Sequence, residues 1–268
     1  MDNKLLALAI EAAVQGGKEI LEVYHTNFKV DLKEDKSPLT EADEKANSKI
    51  NEFLSGSNIP IISEENKQID FETRKNWTIC WIVDPLDGTK EFVKRNGEFT
   101  VNIALVKNGQ PILGVIYVPV EKTLYFADVE KNKAYKTVFD MNRFDISNIM
   151  MGAMEIHPRP VSLKEKIVVG SRSHMSPETE DFVKNLKTEV EKVEIVSKGS
   201  SLKFCLVAEG LADVYPRFAP TMEWDTAAGQ AICEAVGLQV ISQETNQPLL
   251  YNKKNLLNPW FLVSHNER

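Results

Sequence analysis

Cysteine and histidine are scarce in this chain, with three cysteines and four histidines in 268 residues. Cys80, Cys205 and Cys233 are odd in number, sit in apolar surroundings and lack metal-ligand spacing. They therefore argue against a disulfide framework and for buried, reduced thiols in a cytoplasmic protein. His25, His157, His174 and His265 form no cluster, so a zinc site is disfavoured and any bound cation is expected on oxygen ligands. No apolar run approaches the ~20 residues of a bilayer-spanning helix, and no signal peptide precedes the first helical pattern. Stable membrane insertion is not expected, while peripheral association with the inner membrane stays open. A formal net charge of -7, with basic residues scattered among acids, speaks against a nucleic-acid surface. Also absent are a Walker loop, a dinucleotide fingerprint after a strand, His-Glu-x-x-His and a Gly-x-Ser-x-Gly elbow, so metal-free acyl and nucleotide chemistry lose support.

The apolar content of 43% is enough for a sizeable core, in one large domain or two modest ones that share it. Leu6, Ile10, Ala13, Val14, Gly17, Leu21 and Tyr24 recur at helical spacing and predict an amphipathic helix over 4–25. Gly16-Gly17 within it is either a close backbone approach or a tolerated defect. Thr40 looks like the N-cap of a second helix with the stripe Ala46, Ile50, Phe53 and Leu54. Strands are expected at 59–62 and 79–83, followed by a hairpin of 101–106 and 112–118 through Asn108-Gly109 and a third antiparallel strand at 124–127. Residues 140–163 read as a connection. From Ile167 the pattern alternates, with strands at 167–169, 193–196, 212–215, 238–241 and 261–263 and helices at 177–186, 202–209 and 225–236. The expected organisation is an N-terminal α+β part, residues 1–163, on a mostly antiparallel sheet, and a smaller C-terminal α/β layer, residues 164–268. The cleft between them is the natural ligand site.

The chemistry concentrates where the apolar strand at 79–83 runs into Asp84-Pro85-Leu86-Asp87-Gly88-Thr89. Pro85 and Asp87-Gly88 force a turn. Two carboxylates that converge there repel unless a proton or cation lies between them, which points to a divalent metal. Glu64-Glu65 is a second pair of acids at a strand end, and by itself would be a solvated pair. Asp43, three residues after Thr40, reads locally as part of a capping box. Asp225 starts a helix rich in small residues, where an N-cap role and a metal or phosphate site are compatible.

Together, Asp84-Pro85-Leu86-Asp87-Gly88-Thr89, the upstream Glu64-Glu65 and the downstream Trp224-Asp225-x-x-Ala228-Gly229 resemble the inositol monophosphatase superfamily of lithium-sensitive, Mg²⁺-dependent phosphatases. Residues 88–92 and 95–104 resemble its 3′(2′),5′-bisphosphate nucleotidase branch, including the bacterial sulfite-synthesis type. The resemblance thins over 128–165. It implies a layered α/β/α/β/α sugar-phosphatase-like fold. It also implies that Glu64, Asp84, the carbonyl of Leu86, Asp87 and Asp225 ligate two or three Mg²⁺ ions, with Mn²⁺ as a substitute. Thr89 with Asp43 would activate the attacking water, which overturns the local preference for Asp43 as a cap alone, and Glu65 would support. Glu64, Asp87, Gly88, Thr89, His174, Ser200, Lys203, Arg217 and Asp225 would contact the substrate, with Lys90, Lys94 and Arg95 steering it.

The expected reaction is removal of the 3′-phosphate from adenosine 3′,5′-bisphosphate, extending to 3′-phosphoadenylyl sulfate. Inositol phosphates and sugar bisphosphates are the alternative substrates, and a non-catalytic anion-binding regulator is the lower-ranked alternative. Monomer and homodimer both stay open.

Overall fold

The computed structural model describes residues 3–32, 38–171 and 176–266. In chain order the elements are α1 (Asn3–Tyr24), β1 (Val30–Leu32), β2 (Pro38–Thr40), α2 (Glu41–Ser55), β3 (Ile61–Ser63), α3 (Phe71–Arg74), β4 (Ile79–Asp87), α4 (Thr89–Val93), β5 (Thr100–Lys107), β6 (Gln110–Val118) and β7 (Thr123–Asp128). There follow β8 (Lys133–Val138), α5 (Ile146–Gly152), β9 (Met154–Glu155), β10 (Glu165–Ser171), α6 (Pro177–Glu189), β11 (Lys192–Lys198), α7 (Leu202–Ala208), β12 (Tyr215–Arg217), α8 (Glu223–Ala235), β13 (Leu238–Ser242) and β14 (Phe261–His265).

A seven-stranded sheet in the order β3-β4-β5-β6-β7-β8-β9 forms the centre, antiparallel except where β3 runs parallel to β4. Side chains alternate between faces along each strand, so each strand feeds two cores. Trp81, Val83, Ile103, Leu105, Val115 and Tyr117 face α1 and α2, where Ile10, Val14, Ile50 and Leu54 are fully buried. Ile82, Ala104 and Ile116 face α8 through Ala228 and Ile232. Beyond α7 and α8 lies the antiparallel sheet β12-β14-β13, joined by the Val168–Val214 bridge to the parallel pair β10–β11. Val183 of α6 covers Val168 and Val214. The layers are therefore α/β/α/β/α, as the motifs implied.

At Gly16-Gly17 the close approach is by side chains and not by another backbone, since a Cβ on Gly17 would stand 2.4 Å from the Tyr117 ring and one on Gly16 2.8 Å from the Ile50 side chain. Cys80, Cys205 and Cys233 are buried free thiols. No described helix is long and apolar enough to cross a membrane.

Two expectations from sequence need correcting. The 140–163 connection contains α5 and the edge strand β9, and β8 precedes it, so the sheet extends well past the three antiparallel strands of the sequence reading. Lysines at 133 and 136 break up the apolar pattern of β8, where Ala134 is buried on one face and Tyr135, on the other, stacks on Phe126 with centroids 5.3 Å apart. The strand expected at 212–215 is displaced to β12, because the N–H of Ala212 still bonds to Leu206 at the end of α7 and that of Asp213 bonds to Ile167.

Candidate active site

Parallel pairing of β3 with β4 places their C-terminal ends side by side. Ser63 pairs with Val83, and the Glu64 N–H donates to the Val83 carbonyl, so Glu64 and Asp84 leave the sheet as neighbours. On the other side of β4, Asp84 opposes Asn102 and Asp87 opposes Thr100, with Pro85 and Leu86 facing the single residue Val101. Residues three apart on a regular strand point to opposite faces; the extra residue of this bulge brings Asp84 and Asp87 to the same side. Pro85 donates no backbone hydrogen bond and suits the interruption. Gly88 then turns the chain at φ +92°, a conformation in which a side chain is strained.

Carboxylate oxygens of Glu64, Asp84 and Asp225 lie within 4.8 Å of one another. Asp87 stands outside that trio, but its charge acts on both Asp84 and Asp225. Burial first, and then the charges of Glu64, Asp87 and Asp225, push the Asp84 carboxyl well above the usual carboxylate range. Asp225, at the cleft wall, is pushed up to about 7 by its surroundings and next by Asp87. It sits in the first turn of α8 and accepts the Met222 N–H at 2.8 Å, so the cap residue of α8 is Met222 rather than Asp225. Sequence reasoning missed Glu223, which is fully buried. It accepts hydrogen bonds from the N–H of Asn252 and Lys253 and from Lys253 Nζ, and Arg74 holds the same loop through Asn252 and the Lys253 carbonyl. Its only signal was adjacency to Trp224-Asp225.

The structure brings Asp43 and Thr89 together, with Thr89 Oγ1 3.3 Å from Asp43 Oδ1 and 3.3 Å from the Leu86 carbonyl oxygen. Asp43 also completes the capping box of α2 with Thr40. One carboxylate thus completes the cap and reaches Thr89.

The Asp87–Gly88 turn and Asp225 border a cleft of about 660 Å³, within the ordinary range for small-molecule sites, about 300–1,000 Å³. Asp87, Gly88, Ser200, Lys203, Arg217 and Asp225 all line it. Lys203 is 5% exposed and lies over the Tyr215 ring at 5.5 Å. It donates to the Ser200 carbonyl, and burial lowers its pKa to about 8. Arg217 Nε is buried with no hydrogen-bond partner, while the guanidinium donates to the Pro220 carbonyl at 3.1 Å. His174 lies outside the described residues. Lys90 lines the cleft, but Arg95 is structural: it donates to the carbonyls of Tyr24 and Thr26 at 2.6 Å and covers the Tyr24 and Phe28 rings. Glu98, Thr100 and Asn102, which belong to the 95–104 stretch but had no individual role in the sequence reading, are buried around the same turn.

The Inositol monophosphatase family model matches residues 1–264. The chain is 42% identical over 265 residues to the 3'(2'),5'-bisphosphate nucleotidase CysQ of Escherichia coli (strain K12), which covers 97% of this chain and 99% of that protein. Among solved structures it resembles CysQ from Bacteroides thetaiotaomicron, with a TM-score of 0.88 and 49% identity over 99% of this chain and 98% of the other. An inositol monophosphatase from Anabaena, at 23% identity and a TM-score of 0.70 over 98% of this chain and 90% of the other, shares the fold. Similarity along nearly the whole chain, with acids from both turns and from α8 gathered in one cluster, places the protein in the inositol monophosphatase family of phosphatases.

Proposed function

We propose that the chain is a phosphoric monoester hydrolase that removes the 3′-phosphate of adenosine 3′,5′-bisphosphate, and that of its sulfated relative 3′-phosphoadenylyl sulfate, with Mg²⁺ as cofactor. One observation carries the reading: the cleft that holds Asp87 and Asp225 also holds the buried Lys203 and the part-buried Arg217. A cleft with both features suits a ligand bearing a reacting phosphate and a second, non-reacting one. The nucleotidase names of the similar proteins support the same choice.

The donor set fits a hard divalent cation. Asp84 is 1% exposed among like charges that favour its neutral form, a cost that a cation removes. Glu64, Asp84, Asp87, Asp225 and the Leu86 carbonyl would hold two or three Mg²⁺ ions. When bound, Mg²⁺ supplies charge that acidifies a water and stabilises the departing oxygen.

The chain's own residues then divide the work. Thr89 Oγ1 takes a proton from the attacking water while passing its own to Asp43 Oδ1, the α2 cap being made by Oδ2. The N–H groups of Gly88 and Thr89 hold oxygens of the reacting phosphate. Ser200, Lys203, Arg217 and His174 hold the second phosphate and the nucleoside. The water oxygen bonds to phosphorus, the bond from phosphorus to the 3′ oxygen breaks, and adenosine 5′-monophosphate leaves with inorganic phosphate.

Phosphate release tests this directly, with adenosine 3′,5′-bisphosphate, 3′-phosphoadenylyl sulfate, an inositol monophosphate and a sugar bisphosphate, each with Mg²⁺ or with EDTA. The expected result is Mg²⁺-dependent turnover fastest on the adenosine compounds. Faster release from the inositol or sugar phosphate would overturn the nucleotide assignment, and binding without release from any substrate would overturn catalysis.

A further inference from the structure

Residues 95–104 contain two polar side chains that the chemistry above leaves unused. Thr100 is fully buried and Asn102 is 1% exposed, and groups so placed need partners. They find them on both sides of the cleft. Thr100 Oγ1 lies 3.0 Å from Asn102 Oδ1, 2.9 Å from Ser200 Oγ and 2.8 Å from Ser201 Oγ. Ser201 Oγ donates to Asn102 Oδ1 at 2.7 Å, and Ser200 Oγ donates to the Asp87 carbonyl at 2.9 Å. Asn102 Nδ2 donates to Asp87 Oδ2 at 3.4 Å, which closes a ring from the Asp87 side chain back to the Asp87 backbone.

The ring fixes two things. Each hydroxyl has one proton to give: with that of Ser200 on the Asp87 carbonyl and that of Ser201 on Asn102 Oδ1, Thr100 donates to Asn102 Oδ1 or to Ser200 Oγ, and in both cases Asn102 Oδ1 faces the hydroxyls and the NH₂ group faces Asp87. Ser200 sits at φ +56°, an uncommon conformation for a residue with a side chain, and is held there by its bond to the Asp87 carbonyl, its contact with Thr100 and the bond from Lys203 to its own carbonyl. Beside it, the Gly199 N–H donates to Glu98 Oε2 at 2.9 Å.

We propose that Thr100 and Asn102 are positioning residues that lock the Gly199–Ser201 turn to the Asp84–Asp87 turn and thereby set the spacing between the second-phosphate site and the reacting centre. This rests on the bisphosphate reading given above. A ligand that spans both sites gains from the fixed spacing, because the turn is ordered before binding; a ligand with one phosphate gains nothing. Asn102 also aims the Asp87 carboxylate, as outer hydrogen-bond partners of metal-binding groups do.

The test uses Thr100→Val, which deletes the hydroxyl at similar volume, Thr100→Ser, which restores it, and Asn102→Ala. The first readout is the ratio of kcat/KM for adenosine 3′,5′-bisphosphate to that for adenosine 3′-monophosphate. Thr100→Val is expected to lower this ratio about tenfold, mainly through KM for the bisphosphate, with Thr100→Ser near wild type. The second is Mg²⁺ affinity by titration calorimetry without substrate, which Asn102→Ala is expected to weaken about 10–100-fold. An unchanged ratio in Thr100→Val, or equal losses on both substrates, would overturn the proposal. If Asn102→Ala does not fold, the Thr100 pair decides. If wild type shows no preference for the bisphosphate, the functional reading fails separately, and unchanged Mg²⁺ affinity in Asn102→Ala and Thr100→Val then sinks the ring as well.

Discussion

Thr89 Oγ1 lies 3.3 Å from Oδ1 of Asp43, whose other oxygen is committed elsewhere: Oδ2 accepts the Thr40 N–H at 2.8 Å and the Thr40 hydroxyl at 2.7 Å. One carboxylate thus starts a helix and faces the site. The two roles separate by substitution. Asp43→Asn keeps an oxygen for the cap but cannot take a proton, so kcat is expected to fall by about 10²-fold or more with little change in Tm. Asp43→Ala is expected to lose the same activity and also about 1 kcal/mol of stability, or roughly 2–4 °C in a chain of this size. Kinetics and thermal melts on both variants check this; an active Asp43→Asn would leave Asp43 as a cap only.

Asp84→Asn removes a carboxyl that burial and like charges hold towards its neutral form. Turnover is expected to vanish while the metal-free protein melts at a higher temperature than wild type, since an amide has no ionisation for folding to suppress. Added Mg²⁺ is then expected to shift the melt less than it shifts wild type. A wild-type rate in this variant would contradict the proposed metal shell.

The pH dependence of the metal-free protein follows from Asp225, whose carboxyl is raised to about 7 from an ordinary value near 4. A group that holds its proton more tightly when folded adds stability that is complete below about pH 4 and lost as pH rises through about 7. Mg²⁺ displaces that proton, so its stabilising shift in Tm is expected to be larger at about pH 8 than at about pH 5.5. Melts in EDTA and in Mg²⁺ across this range measure it, and equal shifts at both ends would count against a metal at this cluster.

Lys203 offers a second titration, since burial lowers it to about 8. Only the protonated amine attracts a phosphate, so kcat/KM for the bisphosphate is expected to decline above about pH 8 through a rise in KM. Lys203→Arg, which stays charged, is expected to move the decline to higher pH. A pH profile identical in the two proteins would remove Lys203 from second-phosphate binding.

Gly114 lies in β6 where α8 crosses it, and a Cβ there would stand 2.4 Å from the Ala228 carbonyl oxygen and 2.7 Å from Ala231 Cβ. Backbone cannot yield as a flexible side chain does, so Gly114→Ala is expected to cost about 1–3 kcal/mol. It is also expected to weaken Mg²⁺ binding, because α8 carries Asp225. Chemical denaturation and Mg²⁺ titration report the two effects independently; an unchanged midpoint would mean that α8 moves away without cost.

Much of this protein was legible in its sequence because the information is local. The heptad-like apolar spacing of α1, the Asn108-Gly109 turn and the apolar run before Asp84 each dictate their own structure over a few residues. Glu64, Asp84, Asp87 and Asp225 stand at strand ends and a helix start, but it was the resemblance of their motifs to a family, and not the local signals alone, that named them as ligands. Glu223, Arg74, Glu98, Thr100 and Asn102, to which the sequence reading attached no individual role, are polar residues that gain meaning only from partners about thirty to 180 residues away. The Thr100–Ser201 contact and the Arg74–Asn252 bond are examples.

The sequence by itself determined which acids leave which strands, because strand length and turn chemistry are short-range properties. Only the tertiary structure decided that they converge. Parallel pairing put Glu64 beside Asp84, a bulge turned Asp87 to the same side, and close packing of α8 against Gly114 delivered Asp225 from the far end of the chain. Register and interlayer distance are set by the packing of whole faces, which no short stretch of sequence contains.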